Sequence, residues 1–210
     1  MTVFRRRTND ATARSRVLLG FVIPSFALAL QVQAAGPVVV LIGVPGSGRT
    51  AQAATLKNER GMTMISADDL ITRNPQPFAK SRKSAIPGFD ARMDPAVNGL
   101  VEAALTSADL SKGLVLVGYP SSKAQGDYLV SLREKLSLPK ALVIRLVVPD
   151  DVARKQLKRE KALDVEQKLL NYHRELDFAR DYFPQADIRD INGNRKPGEV
   201  ADDIRKLLPK

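Results

Sequence analysis

The chain has 210 residues, with 33 lysines and arginines against 23 aspartates and glutamates, a formal charge of +10, and 44% apolar side chains. That length and apolar content suit one globular domain with a real core. With no cysteine anywhere, disulfides, a thiol nucleophile and a cysteine-ligated zinc site are excluded.

In chain order, the first 34 residues read as an export leader. Arg5, Arg6, Arg7, Arg14 and Arg16 form a basic start, followed by an apolar stretch from Val17 to Leu30 that is broken by Pro24 and Ser25. Val32-Gln33-Ala34 offers small residues where a signal peptidase reads them, so cleavage is expected after Ala34. The apolar stretch is shorter than the roughly 20 residues a membrane span needs. An uncleaved N-terminal anchor is the alternative, with a transit peptide or disordered tail behind it. The leader reading makes the protein periplasmic or otherwise exported and leaves 35–210 as the working domain. The leader holds five arginines and Asp10, so the remainder carries +6.

Val38 to Ile42 is a continuous run of branched apolar residues, as expected of a parallel strand covered on both faces. A glycine-rich turn follows, then a helix from Arg49 to about Glu59, closed by Gly61. Met62 to Ile65 predicts a second strand, with Ser66 as a helix cap. Residues 67–110 read as an insertion that forms a small lobe. Its stretch from Thr72 to Ala85 is polar and holds Pro75, Pro77, Arg73, Lys80, Arg82 and Lys83; Pro87-Gly88 signals a turn, and Asp94-Pro95 opens a helix to about Thr106, with Asp94 as cap. Gly113 to Gly118 predicts the third strand, a helix ends near Leu136, and Ala141 to Val148 predicts the fourth strand. Helices from Asp150 and over about Val165 to Asp181, a fifth strand over Ala186 to Ile191 and a last helix over Glu199 to Leu208 complete the chain. Strands alternating with helices at short spacing predict an α/β fold with an open parallel sheet. Ligands of such folds sit beyond the C-terminal strand ends.

Residues 43–50 read Gly-Val-Pro-Gly-Ser-Gly-Arg-Thr, the phosphate-binding pattern GxxxxGK[ST] with Arg49 in place of lysine. Gly43, Gly46 and Gly48 let backbone amides turn inward around a polyphosphate, and the helix behind adds its positive end. Gly43, Pro45, Gly46, Ser47, Gly48, Arg49, Thr50 and Ala51 are the candidate phosphate-binding residues. Thr50 can place a hydroxyl on a magnesium ion. Arg49 keeps the charge but spreads it over a planar fork: it either clamps phosphate or projects away.

Four stretches together resemble the adenylate kinase family of nucleoside monophosphate kinases. They are Gly43 to Ala53, Ile65-Ser66-Ala67-Asp68-Asp69-Leu70, Gly118-Tyr119-Pro120 with Ala124-Gln125, and Val148-Pro149-Asp150 with Leu169-Leu170-Asn171-Tyr172-His173. The resemblance implies a P-loop three-layer sandwich with a five-stranded parallel sheet, a monophosphate-binding lobe and a lid. The implied reaction moves the γ-phosphoryl of ATP to AMP with magnesium. It implies Arg49 and Arg159 as catalytic cations, Arg73 and Gln125 on the acceptor side, and Thr50 at the metal. The departures fall on charged positions. Arg49 replaces the lysine, Val117 the acidic residue before Gly118, Ser121 the arginine after Pro120, and Thr72 the arginine after Leu70, with Arg73 adjacent. The lid is reduced to a few residues near Glu160 to Asp164. His173, the only histidine, is expected to make a structural hydrogen bond.

These departures set a weak or lost monophosphate kinase, using Mg2+ with ATP if active, against a non-catalytic exported relative that binds nucleotide, phosphate or a protein partner. A nucleic-acid role rests only on the basic stretch 154–161, which lacks an aromatic platform and is disfavoured. Membrane contact requires a retained leader.

Overall fold

The computed structural model describes residues 35–44, 46–78, 93–159 and 164–209. The expected leader at 1–34, Pro45, the part of the insertion with Lys80, Arg82 and Lys83, and residues 160–163 of the reduced lid lie outside the described residues. Among the described residues, no helix is long and apolar enough to cross a membrane.

Five strands form one parallel sheet. They are β1 (Val38–Gly43), β2 (Thr63–Ser66), β3 (Leu114–Val117), β4 (Ala141–Val147) and β5 (Ile188–Asn192), in the order β2-β3-β1-β4-β5. β1 is central and buried along its whole length. Val38 sits opposite Leu114 on one side and Ala141 on the other. Its alternating side chains feed two separate cores. Val39 and Leu41 meet Ala53 and Leu56 of α1 (Arg49–Arg60) and Val200 and Ile204 of α7 (Pro197–Leu207). Val38, Val40 and Ile42 face the other layer. That layer is built from α2 (Ala67–Arg73), α3 (Asp94–Thr106), α4 (Lys123–Lys135) and part of α6 (Val165–Tyr182). The expected three-layer P-loop sandwich is therefore present. α5 (Asp150–Arg159) joins α6 around Val44, Val148, Leu157 and Tyr172, which covers the loop after β1.

The insertion differs from its sequence reading in detail. Ser66 does cap a helix, its hydroxyl accepting from the Asp69 amide at 3.3 Å, and that helix, α2, extends through Thr72 and Arg73. Aspartates 68 and 69 in its first turn favour it there through the helix dipole. Asp94 is not the cap of α3: Met93 holds that position, with no side-chain cap bond. Asp94 instead lies in the first turn and turns its carboxylate inward. The fifth strand starts at Ile188, because Gln185–Asp187 form a 3-10 turn.

Candidate functional site

The loop after β1 needs its glycines. Gly46 and Gly48 have φ of 88° and 84°, in the left-handed region that other residues avoid. A Cβ on Gly43 would lie 2.4 Å from Ser47 Oγ. The Ser47 amide donates to the Val44 carbonyl at 2.8 Å and closes the turn. Ser47 Oγ is buried without a hydrogen-bond partner among the described residues. Thr50 and Ala51 stand exposed on the first turn of α1, a turn with no acidic side chain of its own. Its positive end is therefore not offset from within the helix.

Arg49 resolves the choice left open by the sequence. Its side chain is buried, and the guanidinium lies at the C-terminal ends of β1 and β3. Nη1 donates to the Gly43 carbonyl at 2.9 Å and to Glu175 Oε2 at 3.2 Å. Nη2 reaches Asp68 Oδ2 at 3.3 Å. A Cβ on Gly118 would lie 3.9 Å from that same nitrogen. So the fork does not project to solvent. It ties α2, β1 and α6 together at the mouth of the phosphate loop. The two carboxylates differ in setting, since the Asp68 side chain is 66% exposed and that of Glu175 is 9%. Burial pushes the Glu175 carboxyl above its ordinary value, against the pull of Arg49 and with the help of Asp68. Glu175 Oε1 and the nearby Tyr172 hydroxyl are buried without a hydrogen-bond partner among the described residues. Burial raises the Tyr172 phenol to about 12.

The acceptor-side candidates are not brought together. Gln125 is buried, and its amide is engaged inside the protein. Nε2 donates to Asp94 Oδ1 at 2.7 Å, while Oε1 accepts from the Ser121 amide at 2.9 Å and from its hydroxyl at 3.1 Å. The Ser122 hydroxyl donates to the other Asp94 oxygen at 2.8 Å. Nearby, the Tyr119 hydroxyl donates to Asn98 Oδ1 at 2.8 Å. This network locks the turn after β3 to α3. Arg73 and Arg159 are exposed at the ends of α2 and α5. His173 meets Asp150 at 3.0 Å with both side chains about half exposed, the structural bond its position suggested.

The donors present do not form a protein-held magnesium site. Thr50 supplies one hydroxyl, Val117 is buried in β3 where a carboxylate would be wanted, and Asp68 is paired with Arg49. The described residues contain no group of three or more acidic, histidine or cysteine side chains placed for a metal. Magnesium is implied only as part of an incoming nucleotide complex.

Sequence reasoning did not single out Glu175, placed Asp68 only within the stretch Ile65 to Leu70, and read Asp94 as a cap. Glu175 was visible in outline: Leu169, Tyr172, Glu175 and Ala179 are the buried residues of α6, and an acid on such a stripe demands a partner. Nothing in the sequence told which cation would meet it.

Comparison with known proteins agrees with the fold. The family model described as adenylate kinase matches residues 41–188. The chain is 26% identical over 183 residues to an adenylate kinase of Micrococcus luteus, covering 81% of this chain and 88% of that protein. It is 32% identical over 117 residues to an adenylate kinase of Stenotrophomonas maltophilia and 35% identical over 117 residues to one of Xanthomonas campestris pv. campestris, in each case covering 54% of this chain and 63% of the relative.

Proposed function

Because the chain belongs to the adenylate kinase family, we propose that it binds a nucleotide or its phosphates at the loop from Gly43 to Ala51, with transfer from ATP to AMP weak or lost. The observation that carries this reading is the tether on Arg49. A cation that must follow a moving phosphoryl group is held by two carboxylates and a carbonyl. Phosphoryl transfer is almost wholly positioning and charge neutralisation. Loss of one preorganised donor typically costs about 3 kcal/mol in the transition state. Here the lysine position, the carboxylate before Gly118 and the arginine after Pro120 all differ from the family pattern. A rate deficit of about 10³-fold or more follows.

The short connection supports the same reading. Five residues join α5 to α6, too few for a lid that excludes water from the reacting group. Export completes the proposal, carried by the basic and apolar N-terminus, since an exported domain meets little ATP. Sequencing the mature N-terminus after cell fractionation tests it: a start at Ala35 supports cleavage, and an intact Met1 in the cytoplasm overturns it.

The functional test uses the whole chain. A coupled assay of ATP with AMP is expected to stay near background, while calorimetry with ATP, ADP, AMP or phosphate gives measurable heat. Brisk formation of ADP overturns the loss of transfer. Absence of heat with all four ligands overturns ligand binding and leaves a protein-partner role.

A further inference from the structure

The tether has a charge imbalance. One guanidinium faces two carboxylates, so with both acids ionised the cluster at the phosphate loop is net negative. An incoming anion must then compete with Glu175 Oε2 for Arg49 Nη1 while Asp68 holds Nη2. We propose that Glu175 is a proton-linked competitor of the ligand's phosphate, so that an anion enters the Gly43–Thr50 loop together with a proton taken up by Glu175. This rests on the phosphate-binding reading above and adds how that same site is regulated.

Three observations place the proton on Glu175. Its carboxylate is buried, whereas that of Asp68 is mostly exposed to water. Its Oε1 has no hydrogen-bond partner among the described residues and is open to protonation. Its carboxyl is already pushed upward by burial, with Asp68 adding to the push. The groups that face it are Arg49 on α1, Asp68 on α2 and Tyr172 one turn away on α6, a phenol that stays neutral in this range. Arg145 of β4, Asp150 of α5 and Asp190 of β5 act on Tyr172. Once Glu175 is neutral, Arg49 keeps a single charged partner, and the Nη1 hydrogen that faced Glu175 can turn to an anion while the other stays on the Gly43 carbonyl.

The probe is sulfate, which keeps its charge from about pH 6 to about pH 9 and so contributes no proton of its own. Binding is read from the Gly46 and Gly48 amide shifts at constant ionic strength. Affinity of the unaltered chain is expected to weaken about tenfold per pH unit once Glu175 is ionised. Glu175→Gln is expected to bind more tightly above that point and to show no such slope. Asp68→Asn, a change at an exposed carboxylate, is expected to tighten binding while keeping the slope. Should Glu175→Gln fail to fold, the slope of the unaltered chain and its persistence in Asp68→Asn still decide. A pH-independent affinity in the unaltered chain, or a slope removed by Asp68→Asn, overturns the proposal and leaves phosphate binding standing. Glycine amides that move with neither sulfate nor ATP at any pH overturn both.

Discussion

Replacing Arg49 by methionine isolates what the tether contributes to stability. Methionine keeps most of the volume but removes every donor, so Glu175 loses its cation and the Gly43 carbonyl loses a partner. Breaking a buried pair from one side typically costs 3–5 kcal/mol, because a desolvated charge is left uncompensated. The exposed Asp68 can turn to water and adds little. We therefore expect Arg49→Met to lose about 3 kcal/mol at neutral pH, which for a chain of this size lowers the melting temperature by roughly 6–12 °C. The loss depends on pH with a definite sign. Glu175 has a raised value in the folded state, so its contribution is fully present below the ordinary glutamate value and fades as pH rises through the raised one. Removing Arg49 removes the main influence that lowers it. The folded value then moves further up, and the penalty widens with pH. Urea unfolding at about pH 5 and about pH 8 reads this directly, with Arg49→Met/Glu175→Gln expected to recover most of the loss at the higher pH. A loss under about 1 kcal/mol at the higher pH, or equal losses at both, would refute the buried pair as described.

Gln125→Ala removes one partner of buried Asp94 and the oxygen that accepts from the Ser121 amide and hydroxyl; about 2–3 kcal/mol of stability should be lost in urea titration, and an unchanged midpoint would show the network to be idle. Two glycine-to-alanine changes should go in opposite directions under the same titration. On Gly126 a Cβ would fall 2.6 Å from Tyr182 Cζ, an overpacking that costs about 1–3 kcal/mol. On Gly99, exposed in α3 with nothing within 4 Å, alanine should add about 0.5–1 kcal/mol.

The architecture was legible because it depends on backbone and periodicity. The run from Val38 to Ile42 can only be satisfied by a strand covered on both sides, and the structure places it at the centre of the sheet. Gly43, Gly46 and Gly48 predicted a tight turn, and Gly46 and Gly48 make it with positive φ. Where boundaries slipped, the local signal was ambiguous. Asp94 before Pro95 has the form of a cap, yet its carboxylate meets Ser122 and Gln125 at the start of α4, contacts 28 and 31 residues away in sequence. The site was less legible for the same reason. Asp68 and Glu175 lie 19 and 126 residues from Arg49, and only the fold brings them to it.

Arginine at position 49 can meet both acids once the fold has brought them to it. A lysine presents one compact point charge, whereas the guanidinium presents nitrogens that diverge from a rigid plane. Nη1 faces Gly43 and Glu175 while Nη2 turns to Asp68, so the two ends of the fork serve different elements at once. An ammonium presents its three donors from one point. The exchange of lysine for arginine and the presence of an acid on the buried stripe of α6 therefore belong together. Arginine without Glu175 would leave Nη1 with the Gly43 carbonyl alone while Asp68 held Nη2. Glu175 without arginine would leave a buried carboxyl with no match for its charge. Together they place an internal anion beside the loop, and on the linkage proposed above its hold on Arg49 weakens as Glu175 takes up a proton.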